Sequence, residues 1–343
     1  MDNLVAGKIL VTGAAGFIGS TLIAELNSRR YENIIASDYL GSDERFLNLI
    51  GLRFEEYIDA SDLLRILGEG NRLKLSCIFH LGACAKTTEQ NCNYLMRNNY
   101  EYTKTLACFA AKYGIRFVYA SSAATYGDGS NGMVDDETKF ETLRPLNGYA
   151  YSKHLFDIFA RNNKLPAYGM KYFNVFGPNE YHKGDMRSVV AKAYESIRAT
   201  GKMQLFKSEN RQYANGQQMR DFLYIKDALD MTIFLANVES VIDNQTTHGI
   251  YNFGSGEART WVNLITPVFK TMGVPVNIEY VDMPKGLGEK YQYFTKGDIS
   301  KLRHVGYVGK LFTLDEAVTD YVKNYLILGN KRMQDVKISF VRS

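Results

Sequence analysis

The sequence predicts an α/β protein built on a doubly wound parallel sheet, to which a smaller mixed α/β lobe is added. Short apolar runs alternate with amphipathic stretches through the first half of the 343-residue chain, the pattern of strands and helices in such sheets. Glycine-rich turns and hydroxyl side chains follow several of these runs, at the positions where the carboxyl ends of parallel strands bind ligands.

The first strand, turn and helix carry the nucleotide-binding signal. Residues 8–12 form an apolar run typical of a buried strand, residues 20–30 form an amphipathic helix, and residues 34–37 form a second strand that ends at an acid. Glycines in the first turn let the backbone approach a pyrophosphate at the helix N-terminus, and an acid about 20 residues further on suits a ribose hydroxyl. The pattern predicts a Rossmann-type dinucleotide site containing Gly13, Gly16, Gly19 and Asp38.

The later elements alternate in the same way. Strands are predicted at 77–80, 116–120 and 167–173, and helices at 93–113 and 149–161. Each strand is short and apolar, as a strand that is covered by helices on both faces must be.

A second lobe is predicted where this alternation breaks down. Residues 1–173 are expected to form the dinucleotide-binding domain, and residues 174–330 are expected to form mainly a substrate-binding lobe. A strand near one end of the segment 221–253 is expected to return to the first sheet. Residues 331–343 form a tail without a periodic pattern.

A serine, a tyrosine and a lysine form the candidate catalytic group. Tyr149 and Lys153 are four residues apart and share one face of the predicted helix, while Ser122 follows the strand at 116–120. The Lys153 ammonium is expected to lower the pKa of the Tyr149 phenol, which is about 10 without such help. With Ser122 orienting the substrate oxygen, Tyr149 is predicted to exchange a proton with an alcohol while a hydride leaves the carbon.

Composition and charge argue against several other classes of protein. The net charge of +4, from 41 basic and 37 acidic side chains, is too small and too scattered to indicate a nucleic-acid partner. The four cysteines show neither zinc-ligand spacing nor a disulfide framework, and no metal site is expected. Neither a leader nor an apolar run of about 18 residues is found, so a soluble cytoplasmic protein without a membrane partner is expected.

Longer motifs make a resemblance to known enzymes specific. The glycine spacing and the Ser-Tyr-Lys group resemble the short-chain dehydrogenase/reductase superfamily, and four runs resemble its extended members that act on nucleotide sugars: YASSAATYG, NGYAYSK, KYFNVFGP and MRDFLYIKD. Four further runs resemble one family within that group: GACAKTTE at 82–89, NNYEYTK at 98–104, NVFGPNEYHKGDM at 174–186 and KYQYFTKGDISKLRHVGY at 290–307. Over residues 7–326 the chain thus resembles the ADP-L-glycero-D-manno-heptose 6-epimerase family of lipopolysaccharide assembly.

This resemblance implies an isomerase that inverts C6 of the heptose in ADP-D-glycero-D-manno-heptose by transient oxidation and reduction. It implies one tightly bound NADP or NAD per subunit of a homo-oligomer such as a pentamer. Tyr149 and Lys183 are implied to be acid/base groups on different sides of the reacting carbon. Contacts with the dinucleotide are implied, beyond the glycines and Asp38, for Phe17, Ile18, Tyr39, Arg45, Leu81, Gly82, Ala83, Cys84, Ala85, Asn98, Tyr149, Lys153, Val175 and Lys183. Contacts with the ADP-sugar are implied for Ser122, Asn174, Asp185, Lys192, Phe206, Arg220 and Tyr291.

Some positions depart from the family pattern. Ala60 lies near the place where a lysine often helps to bind a 2′-phosphate. Asp38 would repel that phosphate, whereas Arg45 could neutralise it, so both NADP and NAD stay open. Asp185 replaces a serine and Lys192 replaces a histidine at implied substrate positions.

Two alternatives remain at this stage. One is another nucleotide-sugar enzyme, such as a UDP-hexose 4-epimerase or a 4,6-dehydratase, and the other is a dinucleotide-sensing protein without catalysis. Dehydratases of this group typically carry an Asp-Glu pair after the active-site hydroxyl, whereas Ala123 and Ala124 follow Ser122. Intact Ser122, Tyr149 and Lys153 argue against a non-catalytic sensor.

Overall fold

The computed structural model describes residues 4–284 and 291–336, which fold around a seven-stranded parallel sheet. The strands of the described residues are β1 Lys8–Thr12, β2 Ile34–Asp38, β3 Glu56–Asp59, β4 Leu75–His80, β5 Arg116–Ser122, β6 Ala167–Tyr172, β7 Asn174–Phe176, β8 Met203–Phe206, β9 Met219–Tyr224, β10 Val241–Ile242, β11 Gln245–Thr246, β12 Gly249–Phe253, β13 Ala258–Thr260 and β14 Ile278–Val281. The large sheet has the order β12-β6-β5-β4-β1-β2-β3, which confirms the predicted doubly wound α/β class.

Helices cover both faces of this sheet. The α-helices are α1 Phe17–Ser28, α2 Ala60–Gly68, α3 Cys92–Leu95, α4 Tyr102–Tyr113, α5 Gly148–Asn162, α6 Val189–Thr200, α7 Ile225–Asn237, α8 Trp261–Met272, α9 Ser300–His304 and α10 Leu314–Tyr321. Single π-helical turns at Met96–Glu101 and Val322–Leu326 connect to α4 and extend α10, and short 3₁₀ turns occur at Glu44–Leu49, Ala123–Tyr126, Glu137–Thr142, Tyr181–Met186 and Met333–Asp335. Within residues 4–284 and 291–336, no helix is long and apolar enough to cross a bilayer.

The strands divide the core into two hydrophobic clusters, because successive side chains of a strand point to opposite faces. Ile9 and Val11 of β1 belong to one cluster and Leu10 belongs to the other. This accounts for the continuous apolar run of β1, since a strand covered on both faces needs apolar side chains at every position.

The C-terminal half of the chain contributes to the large sheet and to smaller sheets beside it. β12 pairs in parallel with β6, so the return strand comes from the C-terminal end of the segment 221–253. The strand at its other end, β9, lies between β7 and β13 in a separate three-stranded sheet. The proposed division at residue 174 stays a prediction, and residues 337–343 of the predicted tail lie outside the described residues.

Candidate active site

A cleft of about 400 Å³ opens at the carboxyl ends of the central strands. It lies where β4, β5 and β6 end and where the chain crosses from the large sheet to β7, the position at which open α/β sheets bind ligands. Eleven residues that the sequence analysis selected line it: Phe17, Ile18, Leu81, Ala83, Ala85, Ser122, Tyr149, Lys153, Asn174, Val175 and Lys183.

The glycine turn before α1 packs directly against neighbouring backbone, which side chains at these positions would prevent. Gly13 has a φ of 68°, and a Cβ atom there would lie 2.6 Å from the backbone nitrogen of Gly82. A Cβ atom on Gly19 would clash with the carbonyl oxygen of Gly13. The Gly16 amide closes the turn by donating to Gly13 O at 3.0 Å. The turn therefore brings the N-terminus of α1 against the loop after β4, as a pyrophosphate site requires.

Asp38 ends β2 beside this turn and is anchored by backbone amides. Its carboxylate accepts hydrogen bonds from Ala15 N at 2.8 Å and Tyr39 N at 2.7 Å. Burial raises the pKa of Asp38, while these amides and Arg45 oppose the increase. The Tyr39 side chain is exposed. A fixed carboxylate at this position suits the hydroxyls of a ribose.

Arg45 is already paired with a neighbouring acid. Its Nε and Nη2 atoms donate to the two carboxylate oxygens of Asp43 at 2.8 and 2.6 Å, whereas the nearest Asp38 oxygen is 3.9 Å from Nη1. The bidentate contact lowers the pKa of Asp43 to about 2, because a hydrogen-bonded guanidinium stabilises the carboxylate. The positive charge available to a cofactor phosphate here is therefore small.

An asparagine that the sequence analysis did not select fixes the loop after β4. Asn99 is fully buried, accepts from Cys84 N at 2.9 Å, and donates to Cys84 O at 3.1 Å. Its amide also donates to Ser152 Oγ of α5 at 3.0 Å, and Asn98 donates to Asn99 at 3.1 Å. Asn99 thus joins the loop after β4 to α5. In the sequence, only its position beside Asn98, a selected residue, pointed to it.

Ser122, Tyr149 and Lys153 all line the cleft. Asn147 caps α5 by accepting from Ala150 N at 2.9 Å, which starts the helix one residue before Tyr149. The structure does not show the expected lowering of the Tyr149 pKa by the Lys153 ammonium. Burial raises the pKa of Tyr149, and a hydrogen bond with the Ser122 hydroxyl is the contact that lowers it.

Lys153 instead contacts the backbone. Its Nζ atom donates to Ala120 O at 2.7 Å, and burial lowers the pKa of the ammonium to about 8. The lysine therefore links α5 to β5 below Tyr149, in a site where water is largely excluded and where its own charge is disfavoured.

Lys183 reaches the same cleft from the 3₁₀ turn Tyr181–Met186. Its Nζ atom lies 5.1 Å from the ring centroid of Phe17, at the first residue of α1. Burial lowers the pKa of Lys183, and the nearby carboxylate of Glu180 opposes this shift. An amine with a lowered pKa is suited to proton transfer near neutral pH.

Aromatic side chains surround Arg220, which does not itself line the cleft but contacts a residue that does. Its guanidinium lies 5.7 Å from the ring centroid of Trp261, which lines the cleft, and 5.0 Å from that of Tyr291. Trp261 Nε1 donates to the Tyr291 hydroxyl at 2.8 Å. Arg220 is buried, and desolvation lowers its pKa, so an anionic ligand that reached it would be strongly favoured.

Like Arg220 and Tyr291, three further residues that were predicted to contact the substrate lie outside the cleft lining in the described part of the chain. Lys192 Nζ donates to the backbone oxygen of Asp185 at 2.6 Å, and Asp185 is exposed. Phe206 ends β8 and is partly exposed. These side chains are not among those that line the cleft, so their contact with a substrate stays a prediction.

Arg187 lines the cleft although the sequence analysis did not select it. Its guanidinium forms two hydrogen bonds with Glu195 of α6, at 2.5 and 3.0 Å. The local sequence does not distinguish Arg187 from an exposed arginine, because its pairing with Glu195 forms only when α6 packs in place. In the described residues, no cluster of three or more His, Cys, Asp or Glu side chains could hold a metal ion.

Comparisons with known proteins agree with this fold. The sequence model of the NAD dependent epimerase/dehydratase family matches residues 9–254. The chain is 44% identical over 320 residues to an ADP-L-glycero-D-manno-heptose-6-epimerase of Nitratidesulfovibrio vulgaris, covering 92% of this chain and 97% of that protein. It is 39% identical over 330 residues to the enzyme of the same name from Fusobacterium nucleatum, covering 93% and 98%. The crystal structure of the Helicobacter pylori enzyme of that name superposes with a TM-score of 0.75 at 27% identity, covering 94% and 97%.

Proposed function

Because this chain belongs to the NAD dependent epimerase/dehydratase family, we propose that it inverts C6 of the heptose in ADP-D-glycero-D-manno-heptose and so forms ADP-L-glycero-D-manno-heptose. The observation that carries this proposal is the 44% identity, over 92% of the chain, to a relative that is named for the reaction. The convergence of Ser122, Tyr149, Lys153 and Lys183 on one cleft supports it, since inversion needs groups that exchange protons at a single reacting carbon.

The residues of the cleft fit a nicotinamide dinucleotide. The glycine turn that a Cβ atom would fill suits the pyrophosphate, Asp38 suits a ribose, and Phe17, Leu81 and Val175 supply apolar walls. A nicotinamide held there would supply reversible hydride transfer at the substrate carbon, which is the chemistry that inversion through a carbonyl requires. The cofactor ends each turnover unchanged, so one molecule per subunit suffices.

The protein's own side chains donate and accept the protons of the reaction. A C–H bond beside an alcohol is too weakly acidic for direct removal of its proton, so the hydroxyl proton is exchanged instead. Tyr149 exchanges that proton on the side of the cleft where Ser122 hydrogen-bonds its hydroxyl. Lys183, whose pKa is lowered by burial, serves as the second acid/base. Lys153 holds α5 against β5 through Ala120 O.

We propose NAD rather than NADP as the cofactor. The Asp38 carboxylate is held by two backbone amides beside the ribose position, and a 2′-phosphate there would be repelled. Arg45, the nearby cation, is neutralised by its bidentate pair with Asp43. Mass spectrometry of the dinucleotide released from denatured protein tests this choice. Recovery of a species with a 2′-phosphate would contradict it.

The biological setting is proposed from the relatives' names and from the sequence. We propose that the product enters lipopolysaccharide inner-core assembly in the cytoplasm and that the chain forms a homo-oligomer. Multi-angle light scattering of the purified protein measures the assembly directly, and a monomeric mass at micromolar concentration would contradict this part of the proposal.

The reaction itself is tested with purified protein and ADP-D-glycero-D-manno-heptose. We expect chromatography to resolve the 6-epimer as product with no added nicotinamide. Turnover of a UDP-hexose with no inversion of the heptose would transfer the assignment to a hexose epimerase. Elimination of water is disfavoured, because Ala123 and Ala124 follow Ser122 and Ala124 lines the cleft where a dehydratase would need acids.

A further inference from the structure

A fully buried ion pair lies next to the residues that carry the catalytic group. Asp157 Oδ2 is 2.8 Å from Lys171 Nζ, and both side chains are excluded from solvent. Replacing such a pair with apolar residues of similar volume often leaves stability unchanged or improves it. Its presence here therefore suggests a role other than stability, and its contacts indicate which one.

On one side, the pair connects α5 to the end of β5. Asp157 lies one helical turn after Lys153, and its carboxylate accepts from Ser121 Oγ at 2.7 Å and from Tyr119 OH at 3.1 Å. Ser121 directly precedes Ser122, which hydrogen-bonds the Tyr149 hydroxyl.

On the other side, the pair connects β6 to the turn after β5. Lys171 Nζ donates to Thr125 Oγ1 at 2.5 Å, and the Thr125 hydroxyl donates in turn to Ser122 O at 2.8 Å. The Lys171 ammonium also lies 5.0 Å from the ring centroid of Tyr126, within the range of a cation–π contact. Contacts through Lys171 thus reach the backbone oxygen of Ser122, and contacts through Asp157 reach the side chain of its neighbour Ser121.

We propose that Asp157, through its pair with Lys171, is a positioning residue that holds the strand end bearing Ser122 in register with the helix face bearing Tyr149 and Lys153. The inference rests on the proposed function, because it concerns the same acid/base group. Asp157 does not line the cleft within the described residues, so it acts through its neighbours and does not touch the substrate.

The negative charge of Asp157 gives this role a signature that a purely structural role lacks. Burial lowers the pKa of Lys153 and raises that of Tyr149, and the Asp157 charge contributes an upward shift to the pKa of each. The other groups that act on the Tyr149 hydroxyl are Ser122 and Cys84, and the pKa of Lys183 is set by burial and Glu180 instead. Removing the Asp157 charge should therefore shift to lower pH the limb of the pH–rate profile that Tyr149 and Lys153 set. The limb that Lys183 sets should stay in place.

The test compares Asp157→Asn with Asp320→Asn. Asp320 belongs to a second ion pair, partly buried, in which it accepts from Lys226 Nζ at 2.6 Å and Tyr224 OH at 2.5 Å outside the described cleft. Both variants should lower the melting temperature. Only Asp157→Asn should lower kcat by about 10-fold or more with little change in KM, because misplaced catalytic groups slow the reaction without weakening binding. In Asp157→Asn, the limb set by Tyr149 and Lys153 should shift to lower pH by about half a unit or more.

A second variant covers the case in which Asp157→Asn fails to fold. The double change of Asp157→Asn and Lys171→Met removes both charges and should recover stability, while the lowered kcat and the shifted limb should persist. Loss of stability without a shift of either limb, or equal effects of the Asp157 and Asp320 variants on kcat, would overturn the proposal. A wild-type protein that fails to invert the heptose but turns over another nucleotide sugar would overturn the proposed function alone, since the same variants are then measured with that substrate.

Discussion

Tyr149 combines a partly buried side chain with a hydrogen bond to Ser122 and a position in the cleft. Replacing Tyr149 with phenylalanine removes the hydroxyl and keeps the ring that packs in the wall. We expect Tyr149→Phe to lower kcat by about 100-fold or more, because a positioned acid/base contributes on that order. The assay is heptose inversion at saturating substrate, with bound nicotinamide quantified by absorbance after denaturation.

Tyr151→Phe is the matched control for this change. Tyr151 lies two residues further along α5, but its side chain is half exposed. We expect it to keep wild-type turnover and wild-type cofactor content. If both variants lose turnover equally, or if Tyr149→Phe remains fully active, the phenol is not the proton-transfer group.

Lys153 makes a separate prediction about stability and pH. Burial lowers its pKa to about 8, whereas the unfolded chain keeps the ordinary value of 10.5. Between these pH values the unfolded state binds more protons than the folded state, so the contribution of Lys153 to stability increases with pH. Below pH 8 the lysine is charged in both states, and the full cost of burying the ammonium remains. The difference in free energy of unfolding between wild type and Lys153→Met should therefore increase by about 2 to 3 kcal/mol from pH 8 to pH 10.

Urea titrations of the two proteins at several pH values measure that difference. Taking the difference cancels the groups that titrate equally in both proteins, as long as the two denaturant slopes agree. A difference that stays flat or decreases with pH would mean that Lys153 keeps its ordinary proton affinity in the folded state.

At the scale of elements, the strand–turn–helix unit at the N-terminus was predictable because each part has a local cause. The apolar run of β1, the glycines of the turn and the acid after β2 all depend on neighbours near in sequence. The start of α1 differs from the prediction, since the helix begins at Phe17 rather than at residue 20. The boundary was predicted too late because Gly19 looked like part of the turn. It lies inside the helix, where it packs closely against Gly13.

That packing is tested by Gly19→Ala. The added Cβ atom would clash with the Gly13 carbonyl, and neither backbone can move without opening the turn. We expect a loss of about 2 kcal/mol or more in the free energy of unfolding, since overpacking of this kind typically costs 1 to 3 kcal/mol. We also expect bound nicotinamide to fall below one per subunit. Chemical denaturation and cofactor content are the measurements.

Gly68→Ala is the control for that experiment. Gly68 ends α2, and a Cβ atom there would meet no heavy atom within 4 Å. We expect a small gain in stability, about 0.5 kcal/mol, because alanine restricts the unfolded chain and favours helix. Gly19→Ala with equally small effects would show that the turn has room for a side chain.

Parts of the site could not be predicted, because they depend on contacts between distant elements. Asn99 joins the loop after β4 to α5, and Arg187 pairs with Glu195 only once α6 has docked. Asp157 is a partial exception, since its spacing of four from Lys153 was visible in the sequence. Its partner Lys171 lies on another strand, and local spacing does not reveal that pairing.

At the scale of the whole molecule, the two predicted lobes share one core and one polar junction. Val11 of β1 and Tyr325 after α10 belong to the same hydrophobic cluster. Three amide side chains close a triangle: Asn48 donates to Asn179 O at 3.1 Å, Asn179 donates to Gln334 Oε1 at 3.2 Å, and Gln334 donates to Asn48 O at 3.0 Å. The nucleotide-binding half is thus tied to the loop before Lys183 and to the C-terminal segment.

A shared core of this kind should unfold as a unit, and Trp261 offers a specific probe. It is the only tryptophan of the chain, it begins α8 in the C-terminal half, and it lines the cleft. We expect the unfolding curve from its fluorescence to coincide with the curve from far-ultraviolet circular dichroism, which averages over all helices. Two separated transitions would mean that the lobes are independently stable.

The triangle predicts how that single transition should respond to mutation. Asn179 is fully buried and has a φ of 73°, so Asn179→Ala loses its amide contacts and places alanine in a left-handed conformation. Asn330→Ala carries the same backbone penalty at an exposed site with a φ of 59°. We expect Asn179→Ala to be less stable than Asn330→Ala by about 2 kcal/mol or more, with both probes shifted together. A shift confined to Trp261 fluorescence would show that the junction stabilises only the C-terminal half, because the nucleotide-binding sheet would then keep its own transition.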